Sequence, residues 1–537
     1  MIYKKENWLF AVFMLGSGCL SVFLKNGMGW DFANYHLYNP WAFLNNRMDF
    51  DIAPAMVNTF LNPLYDLYLY FLIINFNEQP SIYYFIMGIP FGVLLWFFYK
   101  INRLIFVGEK NALVRVCLSL AIGITGFSTV VQIGGPTNEV INSTVVMYGL
   151  YVLLTELKAE RQKVWRLGWA GLLLGGICGL KATIVIYCAA FWVIILLYYK
   201  SWQNPVKLIS CFCLCGFAGF LITNGYWMWT LWDKYGNPVM PFLNKFFQSE
   251  YFDPINFRDS RFLPDTLGKW FFYPFYWLLD SLKLQRSVAE VYFFDIRFAV
   301  LELIFICWLV YFRYQFTLSF FTRCLMTWIL VAYVFWLGMF SIIRYALVLE
   351  MLGAIFIVKM LFYLKPKSLN VFYYSFLFVF LFVLITVRAQ SFVLGNIGKQ
   401  SKVVELEEVN LPDHSLLLLY NVPSAFVGPF WIKDKDIRMI GFEQYNSTMM
   451  VGSDFLERGK FKELRDHILG EHKGEKLILF RNLPIRGIYP DSERYPFLKG
   501  MYCQKIDNNI QPDLLFLCLP PYLVKSVFKS EKGTIKK

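Results

Sequence analysis

The chain has 537 residues, 57% of them hydrophobic and 20% aromatic, with only 17% charged and a mean hydropathy of +0.46. A soluble domain carries about 25% charged residues, so this composition excludes an ordinary soluble enzyme, as well as a disordered or fibrous chain. The net charge of +13 fits basic inner loops at an anionic leaflet, and the sequence holds no nucleic-acid motif.

Crossing a bilayer takes about 20 mostly apolar residues. Residues 8–24, 83–99, 112–131, 140–154, 167–180, 183–199, 206–223, 298–312, 324–343, 345–364 and 371–387 form apolar runs of this kind. The fold class expected is a polytopic α-helical membrane protein with about 11 transmembrane helices. Lys4 and Lys5 precede the first run and no small-residue cleavage site follows it, so it reads as an uncleaved helix with the N-terminus inside. Alternating from there, the short inner loops collect Lys100, Arg103, Lys110 and Arg115, then Lys158, Arg161, Lys163 and Arg166, as the positive-inside rule requires. Runs 67–76 and 270–282 read as interfacial helices.

This topology leaves loops 25–82 and 224–297 and the tail after about residue 388 on the outer side. The expected domains are a membrane domain, 1–388, and an extracytoplasmic α/β domain, 389–537. In the tail, apolar runs 415–420, 477–480 and 514–519 alternate with charged segments such as 455–472, the pattern of strands and helices. Cys503 and Cys518 flank a turn-like segment there, either as a disulfide in an oxidising compartment or as two buried thiols. The other nine cysteines lie in apolar runs. Cys211, Cys213 and Cys215 are read as not sharing a helix face and as a poor zinc set.

Ionisable residues at outer membrane boundaries are costly and are functional candidates. Asp31, in Gly29-Trp30-Asp31-Phe32-Ala33-Asn34-Tyr35-His36, lies just past the first span. A carboxylate desolvated there has a raised pKa and suits a general base on a sugar hydroxyl; the plainer alternative is a helix cap. Glu139 opens the fourth span, Lys181 sits between two short spans, and Arg344 and Tyr345 sit between the ninth and tenth. Two cations and several carboxylates on one side suit an anionic ligand plus an acid/base site; the alternative is mutual pairing, Lys181 with Glu139, that closes the bundle. Glu302 and Glu350 lie deeper, as partners of those cations. Loop 224–297, with Arg258 and Arg297 among prolines and aromatics, reads as an ordered lid or an interface belt. Asp49-Phe50-Asp51 is a triplet of the kind that can hold a divalent cation, but Asp434-Lys435-Asp436 shows how readily it arises, and no metal or other cofactor is expected. The chain has no Walker loop, nucleophile elbow, His-Glu-x-x-His or Cys-x-x-Cys, and nothing suggests a nucleotide-sugar site inside.

This arrangement resembles the GT-C superfamily of membrane glycosyltransferases. Residues 34–46, 59–67, 236–242 and 256–262 look like stretches of poorly characterised bacterial membrane proteins built this way. The resemblance covers residues 1–388. It implies a polyprenyl-phosphate-sugar donor, a glycan or lipid-linked acceptor, and transfer with inversion at the outer face of the bacterial inner membrane. It implies Asp31 as general base and Glu139 as the second acidic position. Lys181 and Arg344 suit the donor phosphate by their chemistry, with Tyr345, Tyr35, His36, Arg258 and Arg297 as further substrate-binding candidates. Trp30-Asp31 departs from the paired acidic motif of the protein mannosyltransferase branch, so the acceptor class stays open. The rival readings are a polysaccharide polymerase and a transporter or flippase of a lipid-linked glycan; transporters usually carry midplane charges and repeats.

Overall fold

A backbone in hydrocarbon must satisfy its own hydrogen bonds, so long apolar runs fold as helices. The computed structural model describes residues 2–283, 288–289, 293–310, 318–364, 370, 374, 377, 401–420, 423–433, 435–442, 456, 459–481, 496–511 and 514–528. Among them, six helices are long and apolar enough to cross a bilayer: Glu6–Leu24, Pro80–Ile105, Glu139–Leu157, Pro205–Tyr235, Phe320–Met339 and Ile343–Leu364. Shorter apolar helices cover Ala112–Ile124, Val164–Leu180 and Ala182–Leu197, and Arg297–Val310 forms another. Each expected run up to residue 364 thus overlaps a helix, although 112–131 and 324–343 are not helical throughout. The last run, 371–387, lies outside the described residues except Tyr374 and Leu377, and so does the expected domain boundary at 388.

The chain divides into two compact units. One comprises Met1–Asn26, Tyr84–Asn224 and Phe262–Gly398; the other comprises Gly27–Tyr83, Gly225–Arg261 and Lys399–Lys537.

The first unit is the helical one. The run 112–131 does not form one helix: it stops at Ile124, Gly126 is extended, and a short helix Phe127–Val130 follows. The first amides of that short helix bond to distant carboxylates, Phe127 N to Asp295 Oδ2 at 3.1 Å and Ser128 N to Glu350 Oε2 at 2.9 Å. Those acceptors replace the carbonyls of a continuous helix. The run 324–343 likewise ends early, at Met339, where Ser341 takes a left-handed conformation with φ 52°. Glycines let Val164–Leu180 approach Pro205–Tyr235 closely: a Cβ on Gly175 would stand 1.8 Å from the Gly216 carbonyl oxygen. On the second of these helices Cys211 and Cys215, one turn apart, have sulfurs 4.0 Å apart. Leu267–Leu282 is kinked at Phe272 and buries Tyr273, Pro274 and Trp277 while Leu267, Phe271, Leu279 and Leu282 stay exposed, the pattern of an amphipathic helix.

The second unit is built on a five-stranded sheet ordered β2-β1-β3-β5-β4: β1 Leu416–Tyr420, β2 Arg438–Phe442, β3 Lys476–Arg481, β4 Tyr502–Lys505 and β5 Leu515–Leu519. β1 runs parallel to both neighbours, Leu418 facing Ile440 and Ile478. All of its residues are buried, as a central parallel strand demands. The charged segment after residue 455 yields the helix Gly459–Glu471, which supplies the crossover to β3. β5 runs antiparallel to both β3 and β4, and Cys503 and Cys518, directly opposite on β4 and β5, are joined as a disulfide. The stretch 27–83 is part of this unit. Ile52 N donates to Met439 O at 2.9 Å and Gly441 N to Ile52 O at 2.7 Å, so the first loop pairs with the β2 edge and covers it.

Candidate functional site

Within the helical unit, four of the expected residues come together. Glu139 is the first residue of the helix Glu139–Leu157, where the amide dipoles favour a carboxylate. The loop ahead of it is anchored by Asn26, whose Nδ2 donates to Val130 O and Ile133 O, each at 2.8 Å. Lys181 follows the end of Val164–Leu180 in an extended conformation, so its side chain leaves the helix axis. Its Nζ donates to Glu139 Oε1. Arg344 and Tyr345 occupy the 3-10 turn Ile343–Ala346. The Tyr345 ring lies 5.6 Å from Lys181 Nζ and 5.2 Å from the Arg344 guanidinium carbon, so one aromatic ring takes two cation–π contacts. Tyr187 OH donates to the Tyr345 carbonyl at 2.5 Å. Asn142, Ser143, Thr183 and Ile184 line a crevice of about 10 Å³ with Glu139, Tyr187, Arg344 and Tyr345. That is room for about one water.

Lys181 and Arg344 thus bring two cations beside the Glu139 carboxylate, which is already paired with Lys181. Arg297 stands in a separate network: its guanidinium is paired with Asp295, and Nη2 donates to Thr125 Oγ1 at 2.9 Å. The deeper carboxylates differ from expectation. Glu350 takes its hydrogen bonds from Ser128 and Thr129 rather than from Lys181 or Arg344. Neither Glu302 oxygen has a hydrogen-bond partner among the described residues.

The remaining candidates lie in the sheet unit. Asp31 is half-buried beside the exposed Trp30 and opens a π-helical turn, Phe32–His36. Such turns are rare and are frequent at functional sites. Tyr35 packs on His36 with ring centroids 4.2 Å apart. His36 Nδ1 stands 2.8 Å from Asp66 Oδ1, both side chains buried. Asp66 escaped the sequence reading; the signal was an acidic residue just before an apolar helix, behind the Asn62-Pro63 cap. Arg258 is exposed. The Asp49-Phe50-Asp51 carboxylates are committed to cations: Asp49 to Lys234, Asp51 to Arg47. Tyr38 OH also donates to Asp51, at 2.9 Å, and its burial and the Asp51 charge hold the phenol well above its ordinary pKa. Asp434 lies outside the described residues.

Among the described residues the fold is that of a helical protein with six helices long and apolar enough to cross a bilayer, together with a small sheet unit. The structure is similar to that of ArnT from Cupriavidus metallidurans bound to undecaprenyl phosphate, with a TM-score of 0.55 over 95% of this chain and 97% of that one. At 11% identity the likeness is one of fold. No protein-family model and no curated protein sequence matches the chain.

Proposed function

We propose that this protein is a membrane glycosyltransferase that moves a sugar from a polyprenyl-phosphate donor to a glycan or lipid-linked acceptor. The reading places the reaction at the outer face of the bacterial inner membrane, with the N-terminus cytoplasmic and the C-terminal domain extracytoplasmic. One observation carries it: Lys181 and Arg344 converge on the Tyr345 ring, in a fold similar to that of a protein solved with undecaprenyl phosphate.

In this reading Lys181 and Arg344 hold the donor phosphate, after it displaces the Glu139 carboxylate from Lys181. Asp31 accepts the proton of the acceptor hydroxyl, whose oxygen attacks the anomeric carbon. The new carbon–oxygen bond forms as the bond to phosphate breaks, and the polyprenyl phosphate leaves with the electron pair. The two cations stabilise the charge that grows on it. A single displacement inverts the anomeric centre. Tyr35, His36 and Arg258 are assigned to acceptor binding. Arg297, held by Asp295, is assigned to support the donor side.

Mass spectrometry of surface glycans tests this, comparing cells that carry the wild-type chain, Asp31→Asn or no chain, with membrane levels of both proteins checked. A sugar-sized mass added by the wild type and lost in Asp31→Asn is the expected outcome, with a fall in transfer of about 10²–10⁴-fold for loss of a general base. Identical glycans in all three, with both proteins present, would overturn transfer to surface glycan and bring the transporter reading forward.

A further inference from the structure

The turn that carries Arg344 and Tyr345 has Tyr345 N bonded to Ile342 O at 3.1 Å and Ile343 N bonded to Val288 O at 2.8 Å. Three donors from elsewhere take its carbonyls. Ser128 Oγ donates to Ile343 O at 2.8 Å, Gln132 Nε2 to Arg344 O at 3.1 Å, and Tyr187 OH to Tyr345 O at 2.5 Å. Two of these donors come from the short helix Phe127–Val130 and the residues just after it. Gln132 Nε2 also donates to Ser128 O at 2.8 Å, which ties the two together.

Glu350 fixes that segment. Its Oε2 accepts from Ser128 N at 2.9 Å, and its Oε1 accepts from Thr129 N at 3.0 Å and Thr129 Oγ1 at 2.8 Å. Glu350 is 2% exposed. A Cβ on Gly126 would fall 1.7 Å from Glu350 Oε1, so the chain leaves that position bare for the carboxylate. The nearby Arg297 is taken up by Asp295 and Thr125; the groups that hydrogen-bond Glu350 belong to Ser128 and Thr129.

We propose that Glu350 is a positioning residue for the lipid phosphate. By holding Ser128 and Thr129 it sets Gln132 and Ser128 against the carbonyls of residues 343 and 344, and so sets where the Arg344 guanidinium stands. This rests on the reading of Arg344 as a phosphate ligand. The carboxylate form matters because both of its oxygens receive amide donors. An amide in its place would aim its own NH₂ at one of them and push the segment away.

The test uses the full chain in lipid nanodiscs and two probes, undecaprenyl phosphate and undecaprenol, which share the chain and differ in the anion. Glu350→Gln should weaken undecaprenyl phosphate binding about tenfold, the value of one hydrogen bond to a charged group, and leave undecaprenol unchanged. A general loss of structure would lower both. Arg344→Gln is run beside it. If Arg344→Gln does not weaken phosphate binding, the phosphate reading fails and this inference falls with it. If Arg344→Gln weakens it and Glu350→Gln does not, the positioning role alone is overturned. If Glu350→Gln yields no folded protein, Gln132→Leu decides, because it cuts the link to Arg344 O and leaves the Glu350 bonds in place. A selective loss of phosphate affinity supports the proposal, and unchanged affinity overturns it.

Discussion

Lys181 Nζ donates directly to Glu139 Oε1, joining the end of one helix to the first residue of another, with 16% and 5% of the two side chains exposed. Removing one member of such a pair leaves a buried charge alone and costs about 3–5 kcal/mol, whereas replacing both with apolar groups is often neutral. Lys181→Met should therefore destabilise the folded protein by about 3–5 kcal/mol. Lys181→Met combined with Glu139→Leu should recover most of the loss in a thermal-unfolding series. Additive losses in the double variant would show that the pair is not coupled.

The same pair bears on ligand entry. Lys181 Nζ is already taken by Glu139, and the adjoining crevice of about 10 Å³ has no room for a phosphate, so in the proposed reading the donor phosphate competes with Glu139 for Lys181. Glu139→Gln should accordingly tighten undecaprenyl phosphate binding, by about tenfold if one charge competition is removed. Weaker binding in this variant would mean that Glu139 contacts the ligand instead of competing with it.

Arg344 offers a planar fork, which a lysine cannot reproduce. Arg344→Gln should lower sugar transfer about 10²–10³-fold, the usual effect of deleting one donor to a developing oxyanion. Arg344→Lys should restore part of it, with the larger change in kcat. An Arg344→Gln variant that transfers at the wild-type rate would exclude this residue from the chemistry.

The sheet unit should be sensitive to acid. Glu405 Oε1 accepts from Ser401 Oγ at 2.7 Å and from the amides of Ser401 and Lys402 at 2.9 and 3.2 Å. These bonds hold its carboxyl below the ordinary value of 4.5, the Ser401 hydroxyl contributing most. A depressed carboxylate stabilises the fold above its ordinary pKa and loses that contribution as the pH falls through the folded value. Asp413, held below 3.8 by the amides of Asp436 and His414, acts in the same direction. Protease resistance of the tail should fall as the pH drops below about 4.5, and Glu405→Gln should flatten that dependence. A flat profile in the wild type would show that these bonds are not maintained in solution.

Much of the helical architecture is legible in the sequence because hydrophobic length is a one-dimensional property. The runs that became Pro80–Ile105 and Glu139–Leu157 needed no partner to be recognised. The strands of the tail were legible for a similar reason, since β1 and β3 are continuous apolar runs. The break at Gly126 was not, because the carboxylates that cause it, Asp295 and Glu350, stand 168 and 222 residues from the amides they bind. The second unit was hidden for the same reason. It gathers three separate stretches of chain, and its core joins Ile52, Trp227 and Ile440. Of the candidate site, Glu139, Lys181, Arg344 and Tyr345 were visible as charges and an aromatic at helix ends. Asp66 was not, because its meaning comes from His36.

That discontinuous unit gives the last prediction. Asp51 Oδ2 accepts from Arg47 Nε and Tyr38 OH, each at 2.9 Å, and Oδ1 accepts from Arg47 Nη2 and from Met439 N, each at 2.8 Å. Arg47 Nη2 also donates to Ile437 O, so one ion pair ties the first loop to the β2 edge. Asp51→Ala would leave Arg47 buried without its counter-charge and Met439 N without its acceptor, a loss of about 3–5 kcal/mol. Because the loop covers an otherwise bare strand edge, the loss should appear as accelerated hydrogen exchange at Met439 and Gly441 and as proteolysis within 45–62. The helical unit should keep its exchange protection. Asp51→Asn keeps a carbonyl acceptor and should lie between the wild type and Asp51→Ala. Unchanged exchange at Met439 in Asp51→Ala would mean that Ile52 pairing alone seats the loop, and that the ion pair contributes little.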